Sequence, residues 1–92
     1  MDIKQKDLIK FWTWCGFLQQ ALPQALDLNN IYRYAIPKLQ DKDYLITLNS
    51  WANKTWRATI KHPYRKGFYN DAKTPTEALY QAILKVIDNE VK

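Results

Sequence analysis

The sequence predicts a small two-layer α+β domain in the order α-α-β-β-β-α, with its helices packed on one face of a three-stranded antiparallel meander. Three observations predict it. Thr55 to Lys61 alternates apolar Trp56, Ala58 and Ile60 with polar Thr55, Arg57, Thr59 and Lys61. That period of two marks a strand with one face on a core and the other in water. Tyr44, Ile46 and Leu48 keep the same period just upstream, and the intervening Ser50-Trp51-Ala52-Asn53-Lys54 reads as a turn, so the two form a hairpin. Third, Leu79, Ile83, Val86, Ile87 and Val91 recur at helical spacing near the end of the chain.

The closing helix has the clearest opening signal. Thr74 offers a capping hydroxyl, Pro75 suits the first helical position, and Glu77 stands three residues past the cap. Ala78, Tyr80, Ala82 and Leu84 widen its apolar stripe, which must be buried against the apolar side of the hairpin. Phe68-Tyr69-Asn70, after the Gly67 turn, is the third strand.

Residues 3–15 read as the first helix. Asp2 can cap it, and Leu8, Phe11, Trp12 and Cys15 fall on one face, with Trp14 off that stripe. Gly16 suits the left-handed position after the last turn, and Phe17 can then fold back onto Trp12; the helix could instead run on to Leu22, before Pro23. Residues 19–26 read as a connector. A second helix opens near Leu28, capped by Asp27, with Leu28, Ile31, Tyr32, Ala35 and Leu39 on a stripe and Tyr34 leaning away from it. Pro37 removes a helical hydrogen bond and biases Ile36 away from helix, so this helix ends near Ile36 or kinks and continues to Leu39.

Ninety-two residues make one domain, residues 1–92, large enough for a core without staples. A single cysteine leaves no internal disulfide and fits a reducing cytoplasm. No leader and no apolar run of spanning length argues for export or a membrane.

The net charge of +5 is unevenly placed. Residues 50–73 hold six basic residues (Lys54, Arg57, Lys61, Arg65, Lys66, Lys73) against Asp71, while the rest of the chain balances eight against eight. A local positive field favours an anionic partner, although lysine on a strand face also serves solubility and edge protection.

Catalytic chemistry has little to work with. His62 is the sole histidine and Cys15 the sole thiol. Cys15 belongs to a buried helix face, where a lone cysteine is ordinarily core, and His62 reads as a strand-end residue. One His and one Cys make no zinc set, and two isolated glycines make no phosphate-cradling loop. Asp41 and Asp43 bracket a turn, and Asp88 and Glu90 lie at a helix end facing water. The reading is a non-enzyme with no metal and no cofactor.

Binding chemistry is better represented. Lys61, Arg65 and Lys66 interleave with Tyr64, Phe68 and Tyr69, a mixture suited to phosphate contact and base stacking. Yet the turn before the last helix lacks the lysines of double-stranded-RNA-binding domains, and the aromatic signature of RRM folds is absent. Nucleic-acid binding would therefore be generic. The abundance of Trp, Tyr and Arg fits a protein-binding module equally well.

Two segments carry a resemblance. Phe11-Trp12-Thr13-Trp14-Cys15-Gly16-Phe17, then 26–39 (LDLNNIYRYAIPKL), resemble a group of small phage and prophage proteins with an FWxWCGF segment before an LDLNNLFKYAVPKL-like one. The hairpin followed by Thr-Pro-Thr-Glu-Ala-Leu (74–79) is similar to the phage ABA sandwich domain. The link between the two segments is shorter here. The resemblance implies a fold and a mobile-element setting, and no catalytic residue.

The expected function is that of a non-catalytic phage accessory protein in the host cytoplasm. It would bind a host protein or nucleoprotein complex through Trp51, Lys54, Arg57, Lys61, Tyr64, Arg65 and Lys66, as an anti-CRISPR-like counter-defence inhibitor. Generic DNA or RNA binding by the same patch is the alternative, and a nucleotide-binding sponge a third. A homodimer is compatible with the sequence. The premise beneath the site is that the cationic surplus is gathered on one exposed sheet surface.

Overall fold

In the computed structural model, which describes residues 3–18, 25–51 and 53–90, the predicted order holds. Helix α1 is Gln5–Trp14 and helix α2 spans 28–41; strands β1 (Leu45–Ser50), β2 (Trp56–Lys61) and β3 (Phe68–Ala72) follow, and α3 (Pro75–Glu90) closes the chain. The sheet is an antiparallel meander in the order β1-β2-β3. The core brings Phe11 and Trp12 of α1, Ile31, Ala35 and Leu39 of α2, Ala58 and Ile60 of β2 and the apolar stripe of α3 into one cluster. Leu79, Ile83, Val86 and Ile87 of α3 are at most 1% exposed. Each such side chain contributes roughly 1.5–3 kcal/mol by leaving water. Val91, the last residue of the predicted stripe, lies outside the described residues.

The helix ends follow local chemistry. At the start of α3 the Thr74 hydroxyl accepts from the Glu77 N–H at 3.1 Å, and Asp27 caps α2 by accepting from the Asn30 N–H at 2.8 Å. Helix α1 begins later than predicted: the residue before it is Lys4, whose side chain makes no capping bond. The proposed Asp2 cap and most of the 19–26 connector lie outside the described residues.

The chain leaves α1 at Gly16, not at Leu22. Gly16 adopts φ +107°, the Phe17 N–H reaches the Trp12 carbonyl, and the Gly16 N–H reaches that of Thr13. This paired 6→1 and 5→2 closure is the Schellman stop, and the Phe17 ring meets Trp12 edge-on at 5.7 Å. Helix α2 ends the same way without a glycine. Asp43 (φ +68°) takes the left-handed position, and the N–H groups of Tyr44 and Asp43 reach the carbonyls of Leu39 and Gln40.

Pro37 neither stops nor breaks α2. Its first turn (Leu28–Asn30) is α-helical, Ile31–Ala35 is π-helical, and Ile36–Asp41 is α-helical again. The Ile36 N–H bonds the Ile31 carbonyl five residues back, and Ile36 keeps helical angles (φ −62°, ψ −45°). A proline denies the helix one donor and crowds the carbonyl four residues earlier. The wider π turn accommodates both effects, so the helix continues to Asp41.

Tyr34, expected to lean outward, is half-buried. Its ring lies edge-on to Phe17 at 4.8 Å and to Trp12 at 6.4 Å. Trp14 is half-buried as well, its ring flanked by the Lys38 and Lys42 ammoniums at 5.3 and 5.5 Å.

Candidate functional site: the open face of the sheet

The described helices pack against the back of the sheet, and the side chains on its front face are exposed or half-exposed. The register places Leu45, Thr47 and Asn49 of β1, Arg57, Thr59 and Lys61 of β2, and Tyr69 and Asp71 of β3 on that face. Their partners in the alternation (Ile46 and Leu48, Ala58 and Ile60, Phe68 and Ala72) join or pack against the core.

At the centre of this face is Arg57. Its Nε and Nη2 donate to the two Asp71 carboxylate oxygens at 2.7 and 2.9 Å, a fork that matches the planar guanidinium. The guanidinium also lies over the Tyr69 ring at 4.6 Å and the Trp51 ring at 5.3 Å. Trp51 and Tyr69 remain 51% and 56% exposed. The hydrogen bonds from Arg57, helped by its charge, hold the Asp71 carboxyl below its ordinary range. A shallow depression beside this stack is lined by Trp51, Asn53, Thr55, Arg57 and Asp71.

The cationic surplus is not gathered onto this face. Arg57 is neutralised by Asp71, and Lys61 is the other basic residue on the outward strand positions, with no ion pair among the described residues. Lys54 sits at the hairpin turn, whereas Tyr64, Arg65 and Lys66 sit beyond the other end of β2, a strand's length of roughly 17–20 Å away. Arg65 borders a second depression with Lys42, Asp43, His62, Tyr64 and Glu90, and its charge acts on Glu90. Lys66 lies 5.6 Å over the Phe68 ring. The predicted residues thus separate: Trp51, Arg57 and Lys61 share the sheet face, Lys54 sits at the hairpin turn, and Tyr64, Arg65 and Lys66 lie in the loop beyond Lys61. The physical reason is where the strands place them. The hairpin's cations fall at its two ends, and cross-strand pairing supplies the middle one with a carboxylate.

Asp71 and Leu45 escaped the sequence reading. Ending β3 at Asn70 hid the pairing of Arg57 with Asp71, which follows once the strand reaches Ala72. Leu45 occupies a polar-side position of an alternating strand and is 67% exposed.

The other candidate groups are occupied. His62 Nδ1 accepts from the Tyr64 N–H, and Nε2 lies 3.0 Å from the Lys42 carbonyl, where it donates. Both ring nitrogens are engaged, so neither is left to activate a thiol. Burial pushes the Cys15 thiol up to about 12, away from the thiolate a nucleophile needs. Glu90, expected to face water, instead takes the Trp14 indole N–H at 3.0 Å and the Lys42 ammonium at 3.0 and 3.1 Å. Asp88 is half-exposed and pairs with Lys10.

Among the described residues no cluster of three or more His, Cys, Asp or Glu side chains is placed to hold a metal, and no helix is long and apolar enough to cross a membrane. What the fold defines, then, is a small α+β domain whose sheet has one aromatic face left open by the described residues. No family model matches the chain, and neither the curated proteins nor the solved structures contain a match to it.

Proposed function

We propose that this protein is a non-catalytic accessory protein that grips a macromolecular partner with the open face of its sheet. The observation that carries the reading is the Trp51–Arg57–Tyr69 stack: an arginine held flat by a carboxylate, beside two half-exposed rings, where none of the described helices covers it. Trp, Tyr and Arg dominate the energetics of protein interfaces, and a preorganised arginine loses little freedom on binding. The charge balance of the face favours a protein surface over bare nucleic acid, because Asp71 offsets Arg57. In the setting suggested by the likeness to small phage proteins, the partner is a host protein or nucleoprotein complex of defence or nucleic-acid processing, and binding inhibits it.

The second reading, direct nucleic-acid binding, rests on the loop. There Tyr64 is 91% exposed beside Arg65 and Lys66, a stacking ring next to two phosphate-seeking cations. Site-specific photo-crosslinking separates the two. With benzoylphenylalanine at position 69 on the sheet face or position 64 in the loop, the protein reading expects a discrete protein adduct from position 69. That adduct should disappear in a Trp51→Ala, Arg57→Ala double variant. Nucleic-acid adducts from position 64, with none to protein from position 69, would overturn it.

A further inference from the structure

The two edges of the sheet are finished differently. At β3 the Lys85 ammonium of α3 donates to the Tyr69 carbonyl at 2.8 Å, and the Asn70 amide reaches the Asp71 carbonyl at 3.2 Å. Side chains thus occupy the outward acceptors of that edge, and Asp71 and Lys73 add charge there. Lysines and charged residues are the usual means of blocking edge-to-edge pairing.

Edge β1 has none of these devices. Residues 44–53 contain no charged side chain, and β1 is rich in residues that favour strands (Leu45, Ile46, Thr47, Leu48). The Trp51 N–H bonds the Thr55 carbonyl at 2.7 Å, so the backbone N–H and C=O groups of the odd-numbered residues of β1 point to β2. By alternation, the N–H and C=O groups of Ile46, Leu48 and Ser50 point to the free edge. No side chain among the described residues hydrogen-bonds to them.

We infer that β1 pairs antiparallel with β1 of a second copy, about a twofold axis through Leu48, to make a continuous six-stranded sheet. The register follows from the free groups: Leu48 pairs with Leu48 of the second copy, and Ile46 with Ser50, which uses all three outward residues on both strands. The same register sets Leu45, 67% exposed, opposite Trp51, 51% exposed, at each end of the seam on the open face. These two large apolar side chains lie six residues apart on one strand, the separation that a Leu48-centred twofold brings together. Charge agrees. Identical strands carry identical charges, and here the paired stretch carries none. The exposed Asp43 before β1 comes to the end that bears the exposed Lys54 of the other copy. The twofold also keeps both Trp51–Arg57–Tyr69 stacks on one side of the joined sheet, so the dimer presents the open face twice. Self-pairing stands independently of the partner reading, since either could hold without the other.

Sedimentation equilibrium up to about 300 μM tests it, because one strand edge is a small interface beside the roughly 1,600 Å² of stable complexes. Thr47 and Asn49 are exposed, and the register sets them opposite each other across the seam. Wild type is expected to dimerise. Thr47→Lys with Asn49→Lys places like charges opposite each other twice and should weaken association about tenfold or more. Thr47→Glu with Asn49→Lys places opposite charges there and should keep the dimer. Circular dichroism confirms that each variant is folded. A wild type that stays monomeric overturns the proposal, as does a double-lysine variant that dimerises unchanged. A Glu/Lys variant as weak as the double-lysine one overturns the register.

Discussion

The Trp14 indole donates to the Glu90 carboxylate at 3.0 Å, joining the last turn of α1 to the last turn of α3. Lys42, just past α2, bonds the same carboxylate, so one side chain ties the ends of all three helices. Burial raises the Glu90 carboxyl, but the hydrogen bonds from Trp14 and Lys42 and the lysine charge outweigh it and leave the group below its ordinary value.

A carboxyl lowered in the folded state contributes stability above its unfolded value, about 4.3, and loses it as pH falls through the folded value. Wild type should therefore lose stability below about pH 4.3 more steeply than Glu90→Gln. At pH 7 the variant should be less stable by about 1.5–3 kcal/mol, the size of hydrogen bonds to a charged group. Urea unfolding at pH 7 and pH 3 checks both. Parallel losses in the two proteins would show that this carboxylate is not the linked group.

Lys54 closes the hairpin turn at φ +64°, a conformation that costs a residue with a Cβ about 1–2 kcal/mol. Lys54→Gly should raise stability by about 0.5–1 kcal/mol, because part of the relief is returned as lost glycine entropy. Gly16 is the mirror case. Nothing lies within 4 Å of a Cβ placed there, so Gly16→Ala should lose about 1 kcal/mol through backbone strain alone. Thermal melts should shift upward in the first variant and downward in the second, by about 4–8 °C per kcal/mol.

Tyr80 is buried at the start of α3 against Phe11, ring centroids 5.0 Å apart, and its hydroxyl finds no hydrogen-bond partner among the described residues. Burial, with the charge of Asp7 behind it, pushes that hydroxyl up to about 12. An unpaired hydroxyl in an apolar site is a cost, so Tyr80→Phe should leave stability unchanged or raise it by up to about 1 kcal/mol. A loss above about 1 kcal/mol in chemical denaturation would reveal a bond to that oxygen.

The helix signals were legible because they are local. Thr74 and Asp27 cap the helices they precede, and Gly16 with Phe17 closes the first, each through groups within a few residues of one another. The course of α2 past Pro37 was only partly legible, since the sequence admits a stop near Ile36 or a kinked continuation to Leu39. Packing of Ile31, Ala35 and Leu39 on the same core carries the helix onward, and it does so through a π turn. For the candidate site, the sequence proposed Trp51 and Arg57 as partner-binding residues but also grouped them with cations that the fold places elsewhere.

By itself the sequence determined the class and order of the elements and the two faces of each strand, because periodicity and caps act over neighbouring residues. The tertiary structure alone decided what charge those faces carry. Arg57 and Asp71 are fourteen residues apart, and only the pairing of β2 with β3 brings them together. Trp14, Lys42 and Glu90 likewise come from separate parts of the chain and meet only when the helices pack. A summed charge has no position until the strands take their register. It is the register that neutralises Arg57 and leaves an aromatic surface where the composition pointed to a basic one.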